Sequence, residues 1–362
     1  MKLRVLLLPG DGIGPEIAAA ARGVIELCAR KAGHDIAWSE GLIGYAAFDR
    51  HGDTMPEATW KQLAACDAVL FGAVGLPERD RATPPEMRPE KRALLPMRQR
   101  MGLAVNIRPV RVYPGLEALS PLKDDIARGV NLTFYRELTG DMYFGRRERS
   151  ADGQRAADEC AYTRAEIARI ARSAFAHAGA ARLKVTSVDK ANVLGAVGLF
   201  WREVVEDVQR REFPGVELEH CLVDAFNLYL FTRPASFRIV LTSNMFSDIL
   251  SDGAAGIAGS LGLLPSASLN PDNGFSLYEP SGGSAPDIAG QGVANPLAMI
   301  LSGALMLRHA FRDEAAAARL ELAVERALAA GARTGDLLRG APPAGARRLG
   351  TQGMADAVAA FL

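Results

Sequence analysis

Apolar runs of strand length alternate with alanine-rich runs of helix length along most of the chain, and this alternation restricts it to an α/β architecture. "LRVLLL" (3–8) reads as a buried strand, and Pro15 then opens the helix "PEIAAAARGVIELCARKA", where a missing N–H costs nothing. "DAVLFGAVG" (67–75) reads as a second buried strand with its turn. "RLKVTSVD" (182–189), "VELEHCLVD" (216–224) and "FRIVLTSN" (237–244) read as further strands that end in polar residues. In open α/β sheets that end is where ligands bind. "TRAEIARIARSAFAHAG" opens with a Thr163/Glu166 capping box and closes at Gly179, the signature of a complete helix.

Two segments interrupt the alternation. "GRRERSADGQRAADECAY" (145–162) is polar and turn-rich, which predicts a protruding arm or surface loop. "LNPDNGFSLYEPSGGSAPDIAGQGVANP" (269–296) is dense in Gly, Pro, Ser and Asn, and an irregular stretch of that length inside a compact domain is usually functional. The Ala-rich segments beyond it read as helices. At 362 residues the chain exceeds the usual size of a single core, so two domains or one large α/β unit is expected.

Lys plus Arg and Asp plus Glu balance at 42 each, which gives no electrostatic case for nucleic acid or an anionic membrane as partner. No apolar run approaches the roughly 20 residues that span a bilayer. The start "MKLRVLLLPGDG" lacks the apolar core and cleavage site of a secretory signal. The four cysteines form no CxxC pair and read as ordinary thiols of a reducing compartment. A soluble cytoplasmic enzyme is the expectation.

"PGDGIGPEI" (9–17) invites comparison with a dinucleotide-binding loop, but its spacing lacks the third glycine of G-x-G-x-x-G, so it is not a Rossmann signature. Gly10, Gly12 and Gly14 permit positive φ and close backbone approach, and the following helix N-terminus favours anions. A plain strand-to-helix turn explains the same residues.

Asp248 and Asp252 in "TSNMFSDILSDGAAG" lie one helical turn apart and repel each other. Alone they fit a solvated acidic face. Phe246, Ile249 and Leu250 argue instead for a buried context, where unpaired carboxylates are costly. With Asp224, at the end of "ELEHCLVD", they offer the hard oxygen ligands that Mg²⁺ or Mn²⁺ accepts. Arg98 in "LLPMR", Arg108 in "AVNIRP" and Arg136 in "YRELTG" could each grip a carboxylate in a bidentate way, although any one of them alone reads as a surface charge. Tyr143 in "GDMYFG" could donate a proton if a nearby cation lowered its pKa; alone it reads as a packing residue. Lys190, followed by Asn192 in "SVDKANVL", could act as a base if held among cations.

The ordered blocks "LPGDGIGPEI", "LFGAVG", "NIRP", "RELTGDMYFG", "KVTSVDKANVL", "WREVV", "VDA", "NMFSDILSD", "GSLGLLPSASL", "EPSGGSAPDIAGQGVANP" and "RTGD" resemble, over nearly the whole chain, the isocitrate/isopropylmalate dehydrogenase family of β-decarboxylating dehydrogenases. The resemblance implies an isopropylmalate dehydrogenase-like α/β fold of two domains sharing a sheet, not Rossmann. We place the first, NAD-side domain at 1–103 and 258–362, and the second, dimerisation and metal domain at 104–257 with an arm at about 145–162. It implies a homodimer with shared active sites, Lys190 and Asp224 coming from one subunit and Tyr143, Asp248 and Asp252 from the other.

It also implies the chemistry: NAD-dependent oxidative decarboxylation of 3-isopropylmalate in leucine biosynthesis. A paralogue acting on another 3-substituted malate or tartrate, or a ligand-binding paralogue without activity, are the alternatives. Arg98, Arg108 and Arg136 would bind the malate carboxylates, with Leu94 and Leu95 against the isopropyl group. Asp224, Asp248 and Asp252 would hold the divalent metal and, through Asp224, the substrate. Lys190 would serve as base and Tyr143 as acid. Asp287 in "GSAPDIAG" would take the adenosine ribose hydroxyls and select NAD over NADP. Asn192, Glu279, Gly282, Gly283, Ser284, Ala285 and Asn295 complete the expected cofactor side.

Three departures from the family pattern stand out. Gly282 occupies the place of a histidine that lies against adenine. The segment "RPEKRALLPMR" (88–98) is one residue longer than the usual R-P-E-x-x-L-L-x-L-R, with Pro96 expected inside the last helical turn and charges at Lys91 and Arg92. An interior proline costs about 3 kcal/mol or kinks the helix. Ser243 and Gly253 alter the flanks of the aspartate pair without removing a ligand.

Overall fold

The computed structural model describes residues 1–339 and 345–362. The chain divides into two compact units, one of Met1–Met101, Tyr113–Leu119 and Ala258–Leu362, the other of Gly102–Val112 and Ser120–Ile257. Nothing in the sequence marks Tyr113–Leu119 as part of the first unit. There Leu119 packs so tightly on Gly259 (φ 80°) that a Cβ on the glycine would lie 2.6 Å from the leucine Cβ.

The chain begins with β1 (Lys2–Gly10), β2 (Asp35–Glu40) and β3 (Ala68–Ala73) in the first unit. It passes through β4 (Val105–Arg111), β5 (Asn131–Glu137), β6 (Arg147–Arg149), β7 (Ala156–Asp158), β8 (Val185–Asp189), β9 (Leu218–Leu222) and β10 (Ile239–Thr242) in the second. It returns with β11 (Pro265–Leu269) and β12 (Ser276–Pro280).

In the first unit the strand order is β2-β1-β3-β12-β11, parallel except for the β11/β12 pair. Val5, Leu6 and Leu8 of β1 are fully buried, as a strand covered on both faces requires. The glycine turn after β1 is closed by backbone. Gly10 and Gly12 have φ of 75° and 60°, and a Cβ on either would come 1.9 Å from the carbonyl oxygen of Ala73 or Ser284. The Asp11 and Ile13 N–H groups already donate to those two carbonyls, at 2.7 and 2.8 Å. This is a tight strand-to-helix turn in which the Asp11, Ile13 and Gly14 N–H groups all bond to backbone carbonyls.

In the second unit the order is β4-β5-β10-β8-β9, antiparallel at β4/β5 and parallel beyond. Register aligns Thr242 with both Arg136 and Val188, and Asp189 with Leu222. Arg136, Lys190, Asp224 and Asn244 therefore emerge at the same carboxyl edge of the sheet. The helix Arg164–Ala181 carries the expected capping box, with Thr163 accepting from the Glu166 N–H and Glu166 accepting from the Thr163 N–H. β6 and β7 form a separate antiparallel ribbon of exposed and half-buried residues. Among the described residues no helix is long and apolar enough to cross a membrane.

Candidate active site

The helix Asn244–Ile257 follows β10 directly and carries both aspartates of the "SDILSD" segment. Its first residue is fixed in place: the Asn244 carbonyl oxygen accepts from Arg136 Nε at 2.9 Å, and its amide donates to the Gly140 carbonyl at 3.2 Å. One turn on, Asp248 receives the Arg136 guanidinium and the Tyr143 hydroxyl, the latter at 2.5 Å. Arg108 lies 3.7 Å from Asp248 and 3.3 Å from Asp252, and donates to Ser251 Oγ at 2.8 Å. Two arginines on adjacent antiparallel strands thus answer the repulsion between the two carboxylates. Arg136 is the buried member, its side chain 3% exposed, whereas Asp252 is 75% exposed and open to a further ligand.

Burial pushes the Asp248 carboxyl up, but Arg136, the Tyr143 hydroxyl and Arg108 outweigh it and hold the group below the usual carboxylate range. Tyr143 moves opposite to the expectation. Burial and the Asp248 acceptor raise its pKa, and Arg136, 5.3 Å from the ring centroid, does not overcome them. The phenol stays protonated, and in this geometry it is a weaker acid than a tyrosine whose pKa a cation had lowered.

Lys190 follows β8 and donates to Asp224 Oδ1 at 2.6 Å, and this bond holds Asp224 below the usual carboxylate range. The base candidate is therefore paired with a carboxylate and not surrounded by cations, as the sequence reading supposed. Buried Asp189 anchors the turn by accepting from the Ala191 N–H and from Arg202 at 2.7 and 2.9 Å; Asn192 is exposed just beyond. Lys190/Asp224 and Tyr143/Asp248/Asp252 form separate groups. Among the described residues no three His, Cys, Asp or Glu side chains come together as a metal site within the one chain.

In the first unit the longer "RPEKRALLPMR" segment does not produce a strained interior proline. Glu90–Leu94 form a π-helical turn in which the Leu95 N–H reaches the Glu90 carbonyl, and the α-helix Leu95–Arg100 starts afresh with Pro96 in its first turn. The additional residue is taken up as a widened turn, and Pro96 sits where no N–H is needed. Arg92 is committed to Asp53 through two hydrogen bonds of 3.1 and 2.7 Å, so its charge is already answered. Leu94 and Leu95 are half-buried, and Arg98 donates to Glu279 at 3.0 Å while its Nε is buried without a partner.

In the glycine-rich loop, Ser284 is buried and donates to the Gly75 carbonyl at 2.5 Å, whereas Gly283 and Asp287 are exposed. Ala285 adopts φ 36° ahead of the short turn Pro286–Ile288 that carries Asp287. Asn295 uses both polar ends internally, donating to Asp336 at 3.0 Å and accepting from the Leu297 N–H at 3.0 Å. A side chain at Gly282 would meet only Leu261, with its Cβ at 3.6 Å and its carbonyl oxygen at 3.9 Å.

Residues 4–358 match the family described as isocitrate/isopropylmalate dehydrogenase. The chain belongs to that family. It is 48% identical to the 3-isopropylmalate dehydrogenase of Vibrio cholerae serotype O1, over 99% of this chain and 98% of the relative. It is 50% identical to that of Moorella thermoacetica, over 92% and 93% respectively. Among solved structures it superposes on an isocitrate dehydrogenase from Methylococcus capsulatus with a TM-score of 0.83 and 34% identity, covering 99% of both chains.

Within this dehydrogenase family frame, the sequence reading passed over Asn244 and Ser251, which orient the two arginines, and Asp141. Asp141 is buried at φ 71° and accepts from Met142, Cys160, Tyr162 and the Met245 N–H, tying the Tyr143 loop to the start of the aspartate helix. Its only local signal is an acidic residue directly after the glycine of "TGDMYFG".

Proposed function

We propose that the chain is a cytoplasmic, homodimeric, NAD-dependent enzyme that oxidises and decarboxylates (2R,3S)-3-isopropylmalate to 4-methyl-2-oxopentanoate, with CO₂ and NADH, in leucine biosynthesis. The observation that carries this reading is the cluster of Arg108, Arg136, Tyr143 and Asp248, which combines anion grips, a protonated phenol and an oxygen ligand at one sheet edge. Arg98, Arg108 and Arg136 bind the substrate carboxylates, and Leu94 and Leu95 face its alkyl group. Lys190 accepts the C2 hydroxyl proton as hydride leaves C2 for NAD. Tyr143 returns a proton to C3 after CO₂ departs.

Asp224, Asp248 and Asp252 offer oxygen donors only, and Asp224 and Asp252 are largely exposed, a donor set that fits Mg²⁺ or Mn²⁺. When bound, that ion supplies Lewis-acid stabilisation of negative charge on the substrate oxygens. The exposed apolar residues Leu228 and Phe231 on helix Val223–Thr232 and Ile249 on the neighbouring aspartate helix favour a dimer contact in the second unit. On the dinucleotide side, Asp287 takes the ribose hydroxyls. The pairing of Arg92 with Asp53 takes that one charge out of the case for another 3-substituted malate or tartrate.

A panel assay tests the reading: NADH or NADPH formation with 3-isopropylmalate, isocitrate, malate and tartrate, in the presence of Mn²⁺. The expected result is the highest kcat/KM for 3-isopropylmalate with NAD. Better turnover of another malate, or of NADP, rejects it. Space at Gly282 gives a second expectation: Gly282→His adds a ring against the nucleotide and tightens NAD binding by roughly two- to tenfold, matching about 0.5–1.5 kcal/mol for ring contacts. Calorimetric titration that finds no gain over the parent rejects that assignment of the adenine.

A further inference from the structure

The motif that the proposed chemistry leaves unused is "PGDGIGPE", and its last residue points to a use. Glu16 lies in the first turn of helix Gly14–Lys31, where an acid would be expected merely to complement the helix dipole. Its carboxylate instead reaches another segment. Oε2 accepts from the N–H groups of Gly290 and Gly292 at 3.0 and 3.3 Å, and Oε1 accepts from Ala294 N–H at 3.0 Å. The Thr351 hydroxyl lies 3.0 Å from Oε1 and 2.7 Å from the Ala294 carbonyl.

The segment so held has no regular structure to occupy its donors, and Gly290 and Gly292 adopt φ of 73° and 66°. It is also latched to the turn that bears Asp287, since the Gln291 side chain donates to the Asp287 carbonyl at 2.8 Å. The other end of the loop is fixed by the glycine turn itself, through Ile13 N–H to the Ser284 carbonyl. An exposed loop is thus clamped from beneath at both ends by one short stretch of chain, with Asp287 left free on the outside.

We infer that Glu16 is a positioning residue for the dinucleotide: it fixes the backbone of Gly290–Ala294 and, through Gln291, the placement of Asp287. The inference rests on the proposed NAD-linked reading. Charge-assisted bonds to three N–H groups order the loop before the ligand arrives, so binding does not bear that ordering cost. Of the glycines in the turn, Gly12 is the one that approaches this loop, since a Cβ there would lie 1.9 Å from the Ser284 carbonyl oxygen.

Glu16→Ala and Glu16→Gln test this by titration with NAD and with NADP, steady-state kinetics, thermal melting, and amide hydrogen exchange at Gly290, Gly292 and Ala294. Glu16→Ala is expected to raise the Kd and KM for NAD roughly tenfold, with kcat at saturating NAD within about twofold, faster exchange at those amides, and a narrower NAD-over-NADP preference. Glu16→Gln, which keeps one acceptor oxygen, falls between the alanine variant and the parent. NAD affinity like the parent's in Glu16→Ala overturns the inference, as does a lowered melting temperature with unchanged exchange at the three amides. A parent protein that binds NAD but turns over no malate sinks the functional reading alone, and the titration still decides the role of Glu16. A parent that binds neither dinucleotide sinks both.

Discussion

Replacing Lys190 with methionine is expected to lower kcat by roughly 10³-fold while leaving the protein folded. Removing a positioned general base forfeits about 10²–10⁴ in rate, and no other amine stands beside Asp224 among the hydrogen bonds and ion pairs of the described residues. The side chain is a quarter exposed and its partner Asp224 largely so, so truncation strands no buried charge. A melting curve close to the parent's should therefore accompany the kinetic loss. Kinetics at saturating substrate, NAD and Mn²⁺ provide the measurement, and a kcat within tenfold of the parent's would remove Lys190 from the mechanism.

Asp248→Asn is expected to be as damaging for a different reason. It removes one charged ligand from the proposed metal set, so Mn²⁺ binding followed by paramagnetic resonance should be lost across the range that saturates the parent, and kcat should fall at least 10³-fold. Arg136, nearly fully buried, then keeps Asn244 as an acceptor but loses its counter-charge, at a stability cost of about 1–3 kcal/mol near neutral pH. The pH dependence gives an independent check. The folded carboxyl titrates below its unfolded value of roughly 3.9, so its contribution is complete above that pH and is lost as pH falls through the folded value. Parent and variant melting temperatures should differ at pH 7 and converge as the pH drops below about 4. A constant gap down to pH 3, or retained Mn²⁺ affinity, would contradict this account.

Features governed by neighbours in the chain were legible before the fold. The Thr163/Glu166 box caps its helix, and Asp248 and Asp252 do share a face. Features governed by distant partners were not. Tyr143 lies near Arg136 in sequence, which suggests a lowered pKa, but Asp248, 105 positions away, accepts a hydrogen bond from its hydroxyl and helps to reverse the sign. Arg92 looked like spare charge near an alkyl pocket until Asp53, 39 positions earlier, claimed it. Pro96 misled for another reason. Residue types fix which side chains a helix presents but not which carbonyl each N–H reaches, and a single residue was absorbed by changing that reach.

That widened turn has a consequence for how such a chain can vary. A one-residue insertion in an ordinary helix rotates everything downstream by about 100° and would swing Arg98 away from Glu279. Here the turn at Glu90–Leu94 works as a slip joint: length changes before it, while the angular phase of Leu95–Arg100 after it is preserved. One residue is thus absorbed ahead of Leu94 and Leu95 while Arg98 keeps its 3.0 Å bond to Glu279.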